Sequence, residues 1–355
     1  MTSRAPREVD LGTLGGSVSR ATAINRRGMV VGDSATADGQ THAFLWRHGV
    51  MTDLGTLGGD FSSAVAVNDV GHVVGESQTA DGQVHAFLWR DGNMIDLDST
   101  SGTSQAAAIN RFDVVAGSSQ PAGENLTTAV GWRRGQAVLL DDPGSVAVDV
   151  NDRGVIAGWT NTPGGATGVF WDRGTATQLG TLGGTYSYVS GHPALNDAGE
   201  LIGYSQAADG EGHAFLWQRG VMKDLGTLGG ASSSPTAISE RGDVVGDAAT
   251  ANGTFHAFIW EGSAMRDLGS LGGHNPTNGV DSIAVAINKQ GLVAGSSVAP
   301  DGTIHAVVWW RRAMIDLSTG TAVGVNAKGL VAGSVVRDTG ARHAAVWSLS
   351  GITRR

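Results

Sequence analysis

The sequence has 355 residues, of which 41% are apolar, with 55 glycines, eight prolines and no cysteine. A formal net charge of −9 without any run of basic residues would repel a nucleic-acid backbone, and the lack of cysteine excludes disulfides and thiolate metal sites. The glycine-rich, proline-poor composition is typical of many short strands and turns, and no apolar export or membrane-spanning segment is visible, so we expect a cytoplasmic protein with no membrane partner.

The first predicted element is a short strand in "REVDL", Arg7–Leu11, which leads into the glycine-rich heptad "DLGTLGG". The heptad recurs at Asp53 and Asp224, with near copies at Gln178 and Asp267. A phosphate-binding loop would need G-x-x-x-x-G-K-[ST], or G-x-G-x-x-G between a strand and a helix. Neither pattern is present, so the heptad indicates an internal repeat.

Three landmarks follow one another along the repeats: the heptad, an "INxxGxVVG" run and an "HAFLW" run. The tryptophan of the last landmark marks eight repeats, at Trp46, Trp89, Trp132, Trp171, Trp217, Trp260, Trp309 and Trp347. Between Ala21 and Leu54, four β-prone runs alternate with turn residues, which predicts a four-stranded meander. The runs show little alternation of apolar and charged residues, so both faces of each sheet are expected to be covered.

Small four-stranded sheets that repeat about every 43 residues and are buried on both faces are typical of a β-propeller. We therefore predict an all-β fold, a single closed propeller of eight four-stranded blades over residues 1–355, with seven blades as the alternative. The "REVDL" segment has the form of a fourth strand that no repeat precedes. We expect it to complete the last blade.

Six histidines share one position, the start of the "HAFLW" run: His42, His85, His213, His256, His305 and His343. Equivalent positions of packed sheets lie about 10 Å apart, whereas the ligands of one zinc ion lie about 2.1 Å from it. These histidines are therefore expected to be structural, so that replacing His85 or Trp89 lowers stability. Serines that recur after the heptad are expected to bond local backbone; they are Ser19, Ser62, Ser104, Ser145, Ser190, Ser233 and Ser282.

Together, "DLGTLGG", "INxxGxVVG" and "HAFLW" resemble the HAF-repeat family, which is named for its His-Ala-Phe triplet. The resemblance covers the whole chain and agrees with a propeller, but it implies no single activity. Members of that family are often described as extracellular repeats, whereas this sequence shows no export signal.

Residues that break the repeat are the candidates for function, because the repeated residues build the scaffold. When the repeats are aligned on the Asn of "IN", His192 stands where the others have Ala or Pro. Asp149 stands where the others have Ala or Gly. Both belong to the predicted strands that line the ring, in repeats five and four.

A second set of exceptions follows the "VVG" run. The residues at that position are Asp33, Glu76, Ser118, Trp159, Tyr204, Asp247, Ser296 and Ser334, so repeats four and five hold the aromatic ones. Tyr186 and Tyr188 also belong to repeat five, in a crossing loop predicted to be about three residues longer than in the other repeats. A second insertion runs from His274 to Ser282.

These exceptions predict a small-molecule site on the channel face around repeats four and five. His192 is the candidate general acid or base, because imidazole titrates near neutrality, and Asp149 would orient it. The candidate substrate-binding residues are Trp159, Tyr186, Tyr188, Tyr204, Glu76, Asp33, Asp247 and His274. The chemistry this implies is non-redox, that of a cofactor-free lyase, cyclase, isomerase or hydrolase in biosynthesis, acting as a monomer.

Two other functions are compatible with the same residues. A binding module without catalysis would use its polar loops to recognise a carbohydrate or a protein. A metal-dependent hydrolase or lyase would use His192 or His274 with nearby carboxylates, which favour calcium or magnesium.

Overall fold

The structure, a computed structural model, describes residues 6–98 and 102–349, which form strands joined by tight turns. Among these residues there is no helix long and apolar enough to cross a membrane. In chain order the strands are β1 (Arg7–Asp10), β2 (Gly15–Ile24), β3 (Val30–Thr36), β4 (Thr41–Arg47), β5 (Val50–Asp53), β6 (Gly58–Val67), β7 (Val73–Thr79), β8 (Val84–Arg90), β9 (Asn93–Asp96), β10 (Thr103–Ile109), β11 (Val114–Gln120), β12 (Thr128–Arg133), β13 (Gln136–Leu139), β14 (Ser145–Val150), β15 (Ile156–Thr162), β16 (Gly165–Asp172), β17 (Thr175–Gln178), β18 (Gly183–Val189), β19 (Leu201–Ala207), β20 (Gly212–Gln218), β21 (Val221–Asp224), β22 (Gly229–Ile238), β23 (Val244–Thr250), β24 (Phe255–Glu261), β25 (Ala264–Asp267), β26 (Ser282–Ile287), β27 (Val293–Val298), β28 (Ile304–Trp310), β29 (Ala313–Val325), β30 (Leu330–Val336) and β31 (Arg342–Ser348).

The first of two compact units comprises Met1–Gly154 and Asn326–Arg355. It contains three antiparallel meanders, β2-β3-β4-β5, β6-β7-β8-β9 and β10-β11-β12-β13. Strand β1 pairs antiparallel with β31, with Val9 opposite Val346, and β31 pairs with β30. The prediction that the N-terminal strand joins the last repeat is therefore confirmed.

The second unit comprises Val155–Val325. Its meanders are β15-β16-β17, β18-β19-β20-β21, β22-β23-β24-β25 and β26-β27-β28-β29. Strand β29 continues for 13 residues, from the fourth strand of repeat seven into the first strand of repeat eight. The predicted all-β repeat of four-stranded meanders is confirmed, and eight blades in one closed ring stay a prediction.

Large residues of one sheet pack on small residues of the next. In the first unit, the ring of Phe87 is fully buried in a cluster with Leu45, Leu54 and Ala64. The glycine of "VVG" permits a close approach within the sheet, since a Cβ on Gly75 would lie 2.0 Å from the Ser63 carbonyl oxygen. A larger residue there would push the two inner strands of the sheet apart.

Recurrent serines fix each meander to the one before it. The Ser62 hydroxyl donates to the Gly55 carbonyl oxygen at 2.6 Å and accepts from the Ala43 backbone N–H at 2.8 Å. The expected bonding to local backbone holds at Ser19, Ser62, Ser145, Ser233 and Ser282. In repeat five the assignment to Ser190 was wrong, because Ser187 makes the equivalent bonds to Gly180 and Gly168.

Each of the six recurrent histidines binds the aspartate of the adjoining fourth strand. In the first pair, His42 Nδ1 lies 2.9 Å from Asp53 Oδ2. The other five pairs, with distances of 2.8 to 2.9 Å, are His85–Asp96, His213–Asp224, His256–Asp267, His305–Asp316 and His343–Asp10. The structural role predicted for the histidines thus has a partner that the sequence analysis did not identify, an aspartate that belongs to the heptad in four of the six pairs.

The asparagine of "IN" links successive repeats at the end of the first strand. Asn25 Nδ2 donates to the Asn68 carbonyl oxygen at 2.8 Å, and Asn68 Nδ2 donates to the Asn110 carbonyl oxygen at 3.2 Å. Asn326 of the last repeat donates to the Asn25 carbonyl oxygen at 3.1 Å. Within the first unit, the last repeat therefore contacts the first through the same bond that joins consecutive repeats.

Candidate functional site

Tyr186 and Tyr188 lie on strand β18 and not in a crossing loop, so that prediction was wrong. Tyr188 pairs directly opposite Tyr204 of β19, and Val189 pairs opposite Gly203. The extra residues of repeat five follow Val189 instead. Both tyrosines therefore belong to a rigid element, which fixes the direction of their side chains.

A widened bulge in repeat five contains His192. In repeat two the corresponding bulge takes one residue, between Ala64 and Ala66. In repeat five it spans residues 190–193, and its backbone bonds to the neighbouring strand β22, where the His192 N–H donates to the Thr236 carbonyl oxygen at 2.8 Å. The His192 side chain is exposed. It therefore does not lie in a regular strand, as the alignment on "IN" had predicted.

Asp149, the second candidate catalytic residue, lies on β14 in the first unit and is buried, with 7% of its surface exposed. Its carboxylate accepts the backbone N–H of Val150 at 2.8 Å. His192 belongs to the second unit. The catalytic pairing of the two stays a prediction.

Four aromatic residues of repeats four and five come together in the second unit. Trp159 of β15 meets Tyr188 edge to face, with ring centroids 5.5 Å apart. Tyr186 lies 5.7 Å from Tyr188 and stacks on Tyr204 at 6.1 Å with an interplanar angle of 22°. All four side chains are half-buried. We call Trp159, Tyr186, Tyr188 and Tyr204 the aromatic cluster, and the structure brings together the four residues that the sequence singled out.

A glycine makes room for this cluster. A Cβ on Gly212 would lie 1.6 Å from the Tyr204 hydroxyl oxygen, so the ring lies directly over the backbone of β20. Repeats one, two and six have Thr41, Val84 and Phe255 before the recurrent histidine, where repeat five has Gly212. The glycine and the tyrosine are thus two matching departures from the repeat. Burial and a hydrogen bond with Tyr186 raise the pKa of Tyr204.

The predicted acidic residues of the first unit are already paired. Arg20 Nη2 lies 3.0 Å from Asp33 Oδ2, and the Ser63 hydroxyl donates to the same oxygen at 3.3 Å. Gln105 Nε2 donates to Glu76 at 3.1 Å. These carboxylates belong to a polar network within the first unit, which accounts for them without a ligand.

Asp247 has the same position in repeat six but a different environment. It lies on β23 opposite Ser234, and among the described residues only its own backbone N–H hydrogen-bonds to its carboxylate. Burial raises the pKa of Asp247 to about 6, because desolvation disfavours the charged form and no cation offsets it. The carboxyl group therefore titrates close to neutrality, as a general acid or base requires.

His274 begins the second insertion and contacts a buried carboxylate. Its Nδ1 lies 2.9 Å from Asp281 Oδ1, and its side chain is 58% exposed. The other oxygen of Asp281 lies 3.8 Å from Nε2 of His256, whose Nδ1 binds Asp267. The carboxylate on Nδ1 fixes the orientation of the His274 ring. Over residues 6–98 and 102–349, no three His, Asp or Glu side chains are grouped as a metal site would require.

Sequence reasoning missed Gly212, which shapes the aromatic cluster. The aligned repeats do show it, because Gly212 stands at a position where other repeats have β-prone residues. Asp281 was considered only as a possible metal ligand beside His274, and the structure instead shows it in direct contact with that histidine.

No family model matches the sequence, and no curated protein is similar to it. A prolyl endopeptidase structure is similar in fold, with a TM-score of 0.58 at 11% identity over 92% of this chain and 54% of that one. TolB of Acinetobacter baumannii matches with a TM-score of 0.44 at 12% identity over 90% of this chain and 82% of that one. The BP39L lectin of Burkholderia pseudomallei matches with a TM-score of 0.46 at 9% identity over 84% of this chain and 96% of that one. At 11% identity, the likeness to the prolyl endopeptidase structure shows a fold of β-propeller type and no activity.

Proposed function

We propose that this chain is a small-molecule-binding β-propeller that carries out a non-redox proton-transfer reaction, such as an elimination, cyclisation or isomerisation. Its ligand would lie against the aromatic cluster. The same proposal includes the closed eight-bladed ring, a monomeric state and membership of the HAF-repeat family.

One observation carries the proposal: Tyr204 and Gly212 depart from the repeat together. If Tyr204 only filled a gap between the strands, its presence would be explained by packing alone. Here a backbone position loses its side chain so that Tyr204 can lie over it next to Tyr186. The resulting aromatic surface is half-buried, and exposed ring faces suit a planar ring or the apolar face of a sugar.

Asp247 supports the catalytic part of the proposal. It follows Tyr204 by one repeat at the same register, so it belongs to the sheet next along the chain. Packed sheets lie about 10 Å apart, a distance that a small ligand can span. With its pKa raised to about 6 by burial, Asp247 can hold or release a proton near neutral pH. His192, exposed on the bulge of repeat five, is the second candidate proton carrier.

A carbohydrate-binding module is the second candidate function. The stacking of Tyr186 on Tyr204 favours it, since stacked phenol rings offer an apolar face with hydroxyl groups at the rim. Such a module would need no proton carrier. It therefore differs from the enzyme in what the loss of Asp247 and His192 would do.

Binding is tested by thermal shift against a panel of monosaccharides and planar aromatic metabolites, with calorimetry on any compound that stabilises the chain. Tyr188→Ala should weaken binding of such a compound at least tenfold, while Tyr188→Phe, which keeps the ring, should preserve it. If Tyr188→Ala binds as tightly as the wild type, the aromatic cluster is not the site.

Catalysis is tested on the compound that binds. His192→Ala, Asp149→Ala and Asp247→Asn should each fold normally, and loss of an acting proton carrier should lower kcat by about a hundredfold to ten-thousandfold. Binding without turnover in the wild type would favour the carbohydrate module. Full turnover in all three variants would reject these residues and direct attention to the His274 insertion.

A further inference from the structure

A second cavity in this chain lies in the second unit, away from the aromatic cluster. It encloses about 390 Å³ between the sheets β22–β25 and β26–β29. Its apolar wall includes Ile259, Leu268 and Trp309. Its rim is basic and carries Glu261, Arg266, Arg311 and Arg312. We call this cavity the arginine groove.

The corresponding groove one repeat earlier is filled by a lysine. There Lys223 Nζ lies 4.5 Å from the ring centroid of Trp260, so the side chain covers the tryptophan. Arg266 holds the same position in β25 that Lys223 holds in β21. Its guanidinium turns instead to Glu261, with 3.3 Å between Nη2 and Oε2. The groove over Trp309 is therefore left open by a specific ion pair.

Arg312 breaks the repeat at this groove. In six repeats the tight turn between the third and fourth strands has its second residue at positive φ, and in five of them that residue is a glycine: Gly49, Gly92, Gly135, Gly174 and Gly220. Repeat seven has Arg312, with φ at 70°. A non-glycine residue in this conformation destabilises the turn, and such strain is typical of functional positions.

The charge of the arginine groove determines which charge its ligand carries. Three arginines and one glutamate leave two positive charges on its rim, in a chain whose formal net charge is −9. Arg266 is paired with Glu261 and Arg311 lies 5.3 Å from the ring centroid of Trp310. Arg312 has neither an ion pair nor a hydrogen bond with any residue in 6–98 or 102–349. The groove thus repels cations and attracts anions.

We propose that the arginine groove binds a small organic carboxylate with an apolar body. A guanidinium binds a carboxylate through two parallel N–H donors, so Arg311 and Arg312 would hold the head group. The hydrocarbon part would lie on Leu268 and Trp309. A cavity of about 390 Å³ falls within the range of small-molecule sites. An inorganic anion would leave the apolar wall exposed to water and gain nothing from it.

The test is calorimetric titration of the full chain with octanoate, acetate, inorganic phosphate and octylammonium. Octanoate should bind, whereas acetate, phosphate and octylammonium should bind at least tenfold more weakly. Arg312→Gly, which installs the residue of five other repeats, should weaken octanoate binding at least tenfold while the melting temperature stays equal or rises. Arg219→Ala alters the residue equivalent to Arg311 in repeat five, outside the groove, and should change nothing.

Three outcomes would overturn the proposal. The first is octanoate binding that Arg312→Gly leaves intact, because the head group would then lie elsewhere. The second is equal affinity for octylammonium or phosphate, because charge or the apolar wall would then play no part. The third is no octanoate binding at concentrations up to about 1 mM. A Kd of about 1 mM corresponds to a binding free energy of roughly −4 kcal/mol, and a site of this size should bind more tightly than that.

Discussion

Replacing Asp247 with asparagine should stabilise the protein at neutral pH. Burial raises the pKa of Asp247 from its ordinary 3.8 to about 6, so the folded state binds the proton more tightly than the unfolded state. The difference of about two pKa units, at about 1.4 kcal/mol each, means that the ionised carboxylate lowers the free energy of unfolding by about 3 kcal/mol. Because the folded pKa is raised, this cost is absent below about pH 4, grows as the pH rises to about 6, and is complete above it.

The assay is urea denaturation of Asp247→Asn and the wild type from pH 3 to 8. The variant should gain up to about 3 kcal/mol in the free energy of unfolding above pH 6 and almost nothing near pH 3. Asp33→Asn is the matched control, because Asp33 has the same register but is paired with Arg20. It should lose roughly 0.5 to 1 kcal/mol at neutral pH. A neutral or negative effect of Asp247→Asn above pH 6 would refute the reasoning.

Two further substitutions test the packing. Gly212→Val should displace the Tyr204 ring, since even a Cβ would lie 1.6 Å from its hydroxyl oxygen. The near-ultraviolet circular dichroism signal of the ordered tyrosines should then be lost, while the far-ultraviolet spectrum should stay unchanged. His85→Ala should lower the free energy of unfolding by about 1 to 2 kcal/mol, because it removes the 2.8 Å contact with Asp96. Ligand binding at the aromatic cluster should be unchanged in His85→Ala, and its loss would contradict the structural role of the recurrent histidines.

The repeat itself could be predicted from the sequence because its landmarks mark local structure. Four β-prone runs separated by turn residues specify a meander with little help from distant contacts, and the pairing of β1 with β31 followed from an unmatched fourth strand. The HAF histidines each contact an aspartate, and the structural role expected for them stays a prediction. Their partners escaped prediction because each His–Asp contact joins two separate strands. In five pairs the residues are 11 apart, such as His42 and Asp53, and in the sixth His343 contacts Asp10 of β1.

The candidate site was less predictable, for a physical reason that repeat five illustrates. An insertion changes the alignment on one side of it only, and a sequence does not say where within a strand the extra residues are accommodated. Alignment on "IN" placed His192 in the strand and the tyrosines in a loop. In the structure, the strand pairing that starts at Ser187 puts the tyrosines in the strand and His192 in the bulge after it. The environment of a carboxylate is equally hard to predict, since Asp33 and Asp247 share one position in the repeat, yet Arg20 and Ser63 contact Asp33 and no cation offsets the charge of Asp247.

The pairing of β1 with β31 also bears on how the chain is made. Strand β1 is synthesised before its partner Arg342–Ser348, which follows more than 300 residues later in the chain. At about 5 to 20 residues per second, roughly 20 to 70 s separate the two on the ribosome. During that time β1 has an open edge that could pair with another nascent chain. Polysomes that translate this message would therefore bring unpaired β1 strands close together, and a chaperone that shields Arg7–Asp10 should raise the yield of folded protein.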